Sequence, residues 1–139
     1  MFTRIEFEIS ELDRIKDLID EFCEENEIQM KDAYFLNLAV DEILTNIFSY
    51  GMKGTPEPEI TLSAEMNGDH VVFIIADNGP AFDPQSVPDP DFTPSLADRR
   101  VGGLGIYFVK KSVDSFEYRY EGGFNTVTLS KKIKKSDAG

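Results

Sequence analysis

His70-Val71-Val72-Phe73-Ile74-Ile75-Ala76-Asp77-Asn78-Gly79 decides the architecture. The run from Val71 to Ala76 is apolar throughout and rich in β-branched and aromatic side chains. Asn67-Gly68-Asp69 bounds it on one side and Asp77-Asn78-Gly79 on the other, which is the pattern of a short buried strand. Asn67-Gly68-Asp69 also contains residues that tolerate positive φ, so Ile60 to Met66 is expected to fold back as the hairpin partner of His70 to Ala76. Working outward, Ser115 to Tyr120 and Phe124 to Ile133 read as a second hairpin across Glu121-Gly122-Gly123. At the other end, Phe2-Thr3-Arg4-Ile5-Glu6-Phe7-Glu8-Ile9 alternates, placing Ile5, Phe7 and Ile9 on one face of a strand covered on one side.

The remaining periodicity is helical. Leu12, Ile15, Leu18, Ile19 and Phe22 repeat along one face after Ser10-Glu11-Leu12-Asp13, a capping-box pattern with Asp in the place of Glu, and this helix is expected to end near Glu24-Glu25-Asn26-Glu27. A second helix from about Lys31 to Ser49 carries Phe35, Leu38, Ala39, Ile43 and Ile47 nearly all round, which predicts deep burial. A third is expected from Leu104 to Val113, entered through glycines. Strand, helix, helix, two strands, helix, two strands predicts an α+β fold, a two-layer α/β sandwich with a mixed, mostly antiparallel sheet and helices on one face. A doubly wound sheet fits poorly, because the strands come in adjacent pairs.

Composition narrows the function. At 139 residues, 41% hydrophobic and with 11 Phe, the chain is expected to form one packed domain, residues 1–139. A formal net charge of -12 argues against direct nucleic-acid binding, since neutralising phosphates needs a basic surface. Cys23 is the sole cysteine and His70 the sole histidine, so neither an intrachain disulfide nor a zinc cluster of these residues is expected. Cys23 reads as a small helix residue. No apolar run approaches a membrane span and no secretory leader pattern opens the chain, giving the expectation of a cytoplasmic protein without membrane association. The lysine-rich end from Lys131 reads as a strand end and solvated tail.

Three separated segments carry polar chemistry in an apolar setting. In a helical Asp41-Glu42-Ile43-Leu44-Thr45-Asn46, Glu42 and Asn46 lie four apart and project from one face, a base beside a neutral oxygen ligand. Asp77 leaves the end of the buried strand into a turn attributed to the freedom of Gly79, and offers a carboxylate for a specific hydrogen bond. Gly102-Gly103-Leu104-Gly105 opens the third helix, where backbone amides and the positive helix end favour phosphate. An ATP pocket needs such parts: an adenine reader, an oxygen ligand for Mg²⁺, backbone donors and a group that orients the nucleophile. Taken singly, each has a structural alternative. Glycines before a helix serve packing, Asn46 reads equally as a satisfied buried amide, Glu42 as a paired carboxylate and Asp77-Asn78-Gly79 as an ordinary turn. Residues 80–101, with five prolines, read as a long loop inside a compact domain, a kind of segment that is either functional or disordered.

The ordered set resembles the GHKL ATPase superfamily, with Glu42 to Asn46 similar to its N box, Asp77-Asn78-Gly79 to its first glycine box and Gly102-Gly103-Leu104-Gly105 to its second. Within it, the short chain, Asp77 to Pro84, and Gly-Gly-Leu-Gly-Ile-Tyr followed by Val113-Asp114 look like the bacterial anti-sigma serine/threonine kinases of partner-switching systems. The resemblance implies a Bergerat-type sandwich, Glu42 as catalytic base, Asn46 as Mg²⁺ ligand, Asp77 as adenine reader with Gly79 as its turn partner, and residues 80–101 as an ATP lid. It further implies phosphate contacts from Arg100, Gly102, Gly103, Leu104 and Gly105, and support of the adenine end by Thr126 or Thr128. ATP and ADP with Mg²⁺ are the implied ligands. The implied partners are a small anti-sigma antagonist, phosphorylated on serine or threonine, and a sigma factor or comparable regulator; a homodimer is an additional assembly to consider. Two other readings stand beside this one: a nucleotide-binding regulatory module with little or no transfer, and a metabolic α+β enzyme that binds no adenine nucleotide.

Overall fold

The computed structural model describes residues 1–52, 54–84 and 103–133, with the side chains of residues 103–105 left aside. Its elements are β1 (Phe2–Ile5), α1 (Glu11–Glu25), α2 (Met30–Asn46), β2 (Ile60–Asn67), β3 (His70–Asp77), α3 (Gly103–Ser112), β4 (Ser115–Glu121) and β5 (Phe124–Lys132). The strands form one sheet in the order β1-β2-β3-β5-β4. Every pairing is antiparallel, so the expected mixed sheet is purely antiparallel among the described strands. Both hairpins form where the turn residues place them, with Gly68, Gly122 and Gly123 at positive φ.

Period-two burial in β3 and β5 turns Val71, Phe73, Ile75, Val127 and Leu129 towards the helices. Leu62 and Ala64 of β2 continue this layer, and Ile15, Ile19, Phe22, Leu36, Val40, Ile43 and Leu44 close it from α1 and α2. Phe73 is fully buried, with its ring 6.1 Å from that of Phe22 in an edge-on arrangement. Ile106 and Val109 seat α3 in the same core.

Helix α1 begins and ends by backbone means. Ser10 makes no side-chain cap, contrary to the capping-box expectation. It is already in helical conformation, and the first amides are taken by backbone carbonyls, Glu11 N–H to Glu8 O and Leu12 N–H to Ile9 O, both at 3.0 Å. At the other end Glu27 adopts φ 55° while Ile28 N–H donates to Cys23 O at 2.9 Å, a left-handed helix stop built without glycine.

Two further expectations are corrected. Strand β1 ends at Ile5 because the chain turns at Glu6, where Glu8 N–H donates to Glu6 O; Phe7 and Ile9 stay exposed, with Phe7 against the ring of Phe48. Helix α2 is not buried all round: Met30, Tyr34 and Leu38 form an exposed apolar line along it. Its C-terminal end widens into a π-helical turn over Ile47–Gly51, a local distortion often found at functional sites.

Candidate functional site

The register of the sheet builds one half of the site. Asp77 ends β3 on the helix-facing side and pairs with Asn125 of β5, so two polar side chains, 5% and 4% exposed, meet where the apolar layer stops. The Asn125 amide nitrogen donates to Asp77 Oδ1 at 3.1 Å, Gly79 O at 3.0 Å and Pro80 O at 2.9 Å. Its oxygen accepts from Phe82 N–H at 2.9 Å and from the Tyr118 hydroxyl. Asn125 therefore ties the chain after β3 back onto the sheet, with its polar atoms satisfied despite burial.

The three residues after Ala76 divide their tasks. Asp77 Oδ1 accepts from Gly79 N–H at 2.9 Å as well as from Asn125, while Oδ2 has no partner among the described residues. Asn78 faces away and pins the approach to β2, accepting from Glu59 N–H and donating to Glu57 O, each at 2.8 Å. Gly79 has no positive φ, so the expected role of its backbone freedom is corrected. Its hydrogen is required by contact: a Cβ there would lie 2.0 Å from Gly51 O, at the end of the π-helical turn. Burial pushes the Asp77 carboxyl above its ordinary value, opposed by the Gly79 and Asn125 donors.

Helix α2 supplies the other half. Asn46 is 7% exposed and its side chain has no hydrogen-bond partner among the described residues, an orphaned buried amide. Such a group costs on the order of 1–3 kcal/mol unless a ligand satisfies it. Glu42, one turn earlier and half-buried, forms neither ion pair nor hydrogen bond among the described residues. Burial raises its carboxyl above the ordinary value, and the adjacent Asp41 charge adds in the same direction.

Asn46, Asp77 and Asn125 line one cavity with Gly51 behind them and Phe82 and Pro84 across it; its volume is about 20 Å³. Glu42 is outside this lining. Thr126 and Thr128 pair with Ala76 and Ile74, on the opposite face of the sheet from Asp77, so neither stands beside Asp77, and the side chain that does is Asn125. Gly103, Leu104 and Gly105 form the first turn of α3. Arg100, Gly102 and the greater part of residues 80–101 are outside the described residues. Sequence reasoning missed Asn125, although a signal existed: Val127 and Leu129 at alternate positions put residue 125 on the inward face.

Among the described residues no helix is long and apolar enough to cross a membrane. Comparison with known proteins now adds to this geometry. The histidine kinase-like ATPase domain model matches residues 5–131. A serine/threonine-protein kinase of Bordetella bronchiseptica, BtrW, is 32% identical over 97 residues, covering 70% of this chain and 68% of that protein. A serine-protein kinase of Listeria monocytogenes, RsbW, is 29% identical over 96 residues, which cover 66% of this chain but 61% of the relative. The histidine kinase domain of an Erythrobacter litoralis blue-light activated histidine kinase superposes with a TM-score of 0.56 at 15% identity, over 89% of this chain and 60% of that one, and shows the shared fold. With the N-box helix and first glycine box converging on one cavity and the family model spanning nearly all of the chain, the chain belongs to the histidine kinase-like ATPase domain family of the GHKL superfamily.

Proposed function

We propose that this protein is a cytoplasmic, ATP-dependent serine/threonine kinase of the partner-switching type, one ATPase domain over residues 1–139 with residues 80–101 as its lid. In this reading it phosphorylates a small antagonist protein and, in the alternative partnership, holds a sigma factor or comparable regulator. The observation that carries the reading is the pairing of a fixed, half-satisfied Asp77 with an orphaned Asn46 on one cavity wall. The serine kinases of Bordetella and Listeria lend it the reaction class.

Each residue then has a chemical task. The free Oδ2 of Asp77 accepts from the exocyclic amine of adenine while Gly79 and Asn125 hold the carboxylate still. Asn46 offers an amide oxygen, the donor type that Mg²⁺ prefers, and one protein ligand suffices for an ion otherwise held by phosphates and water. Bound there, Mg²⁺ supplies screening of phosphate charge. The amides of Gly102 and of the start of α3 meet the phosphates, with the charge of Arg100 as a further contact. Glu42 takes the proton of the acceptor hydroxyl as its oxygen bonds to the γ-phosphorus and the bridging oxygen leaves with ADP. Its raised pKa makes it a stronger base than an exposed glutamate.

Calorimetry with Mg²⁺-ATP and ADP tests this assignment. Asp77→Asn, which keeps the shape and an acceptor oxygen but loses the charge, is expected to weaken both nucleotides at least about tenfold, the scale of one lost charged hydrogen bond. Equal affinities in the two proteins would remove Asp77 as the adenine reader.

A further inference from the structure

A second concave surface lies on the side of the helical layer formed by α1 and α2, apart from the cavity at Asp77. Leu12, Ile15 and Ile19 of α1 and Tyr34, Leu38 and Leu44 of α2 contribute its apolar floor and walls, and the groove encloses about 610 Å³. Met30, Tyr34 and Leu38 stand four residues apart on one line of α2, and Met30 and Tyr34 are 89% and 66% exposed. Large side chains so exposed in a row exceed the scattered apolar residues of an ordinary surface.

Charge borders this apolar line. Asp13, Asp20 and Asp41 line the groove. The one lysine of the lining, Lys16, is held by Asp20 at 2.9 Å, and Asn37 donates to the other oxygen of Asp20 at 2.8 Å. The border is therefore net acidic, with Asp13 and Asp41 unpaired among the described residues.

We propose that the α1–α2 groove docks an amphipathic helix of a partner protein whose apolar face is flanked by lysine and arginine. From Met30 to Leu44 the groove follows about 21 Å of helix at 1.5 Å per residue, the length of roughly four turns and too long for a compact small molecule. The occupant's apolar side chains cover Met30, Tyr34 and Leu38 while its cations meet Asp13 and Asp41. An anionic membrane surface is repelled by the same border. A second copy packed through the same groove would set Asp13 and Asp41 against its own acidic border.

A fluorescent, designed 18-residue helix with leucines at i, i+3, i+4 and i+7 and lysines elsewhere is the probe, titrated against the full chain without nucleotide and followed by anisotropy. The absence of nucleotide keeps this result separate from that of the kinase reading. Saturable binding is expected, at least tenfold weaker for a scrambled peptide of the same composition. Tyr34→Ser with Leu38→Ser, and separately Asp13→Asn with Asp41→Asn, are each expected to weaken it tenfold or more while thermal unfolding shows an intact fold. Equal binding of the scrambled peptide, or retention by both double variants, overturns the proposal. So does a dimer in sedimentation that Tyr34→Ser with Leu38→Ser abolishes, or stronger binding to phosphatidylserine vesicles than to the peptide.

Discussion

The corner between β3 and β5 and the C-terminal half of α2 face the same cavity with opposite economies of hydrogen bonding. At the corner, Asn125 engages Asp77, Gly79, Pro80, Phe82 and Tyr118, and Asp77 keeps one oxygen in reserve. On α2, Glu42 and Asn46 have no partners among the described residues. The difference teaches where each half gets its order. Under the proposed roles, the group that reads a ligand's shape is fixed by the protein beforehand, whereas the groups that meet an ion and a transferring proton keep open hydrogen-bonding capacity.

The sharpest way to break this contrast is on the unpartnered side. Glu42→Gln keeps the shape of the side chain and removes its ability to accept a proton. Phosphoryl transfer to a verified protein acceptor is expected to fall by about a hundred- to ten-thousand-fold, with ATP affinity unchanged. Transfer at the wild-type rate would leave Glu42 without the role of base.

A smaller effect is expected at the fixed corner. Gly79→Ala puts a methyl group 2.0 Å from the Gly51 carbonyl, and neither backbone segment yields easily, since Gly51 closes the π-helical turn and Gly79 is tied to Asp77 and Asn125. Destabilisation by about 1–3 kcal/mol in urea is expected, as for other overpacked positions, together with weaker nucleotide binding. Alanine accepted without loss of either would show that the corner is not rigid.

The smallest effect concerns the coupling of Asp41 to Glu42. With Glu42 as the proposed base, transfer requires its ionised form, so the rate is expected to fall as pH drops through a pKa that burial and then the Asp41 charge hold above the ordinary value. Asp41→Asn removes the second cause and makes ionisation easier. The acid limb of the kcat/KM profile is expected to move to lower pH, with the plateau little changed. An unmoved limb would assign the raised value to burial alone.

Several features were legible because they depend on near neighbours in the chain. Asn67-Gly68-Asp69 and Gly122-Gly123 specify their own turns, and the two hairpins follow with little reference to the rest. Ser10 and Phe7 show the limit: a capping residue is needed only if no backbone carbonyl takes the helix amides first, and alternation continues as a strand only while a partner is present. For α2, apolar composition all round predicted burial, but α1 and the sheet cover only part of its circumference.

The same division holds at the site. The order of Glu42, Asn46, Asp77 and Gly79 along the chain identified the family, because spacing within a helix or at a strand end is set by local geometry. The sequence alone also determined that α1, α2 and the two hairpins exist. Alternation with Val127 and Leu129 marks Asn125 as inward-facing, but only the tertiary structure decided that it stands opposite Asp77, since strand register selects each residue's cross-strand neighbour. It likewise decided that Gly79 is glycine because of Gly51, a contact between segments 28 positions apart that no local pattern encodes. Close approach between distant backbones is a property of packing, and packing is settled when the layers meet.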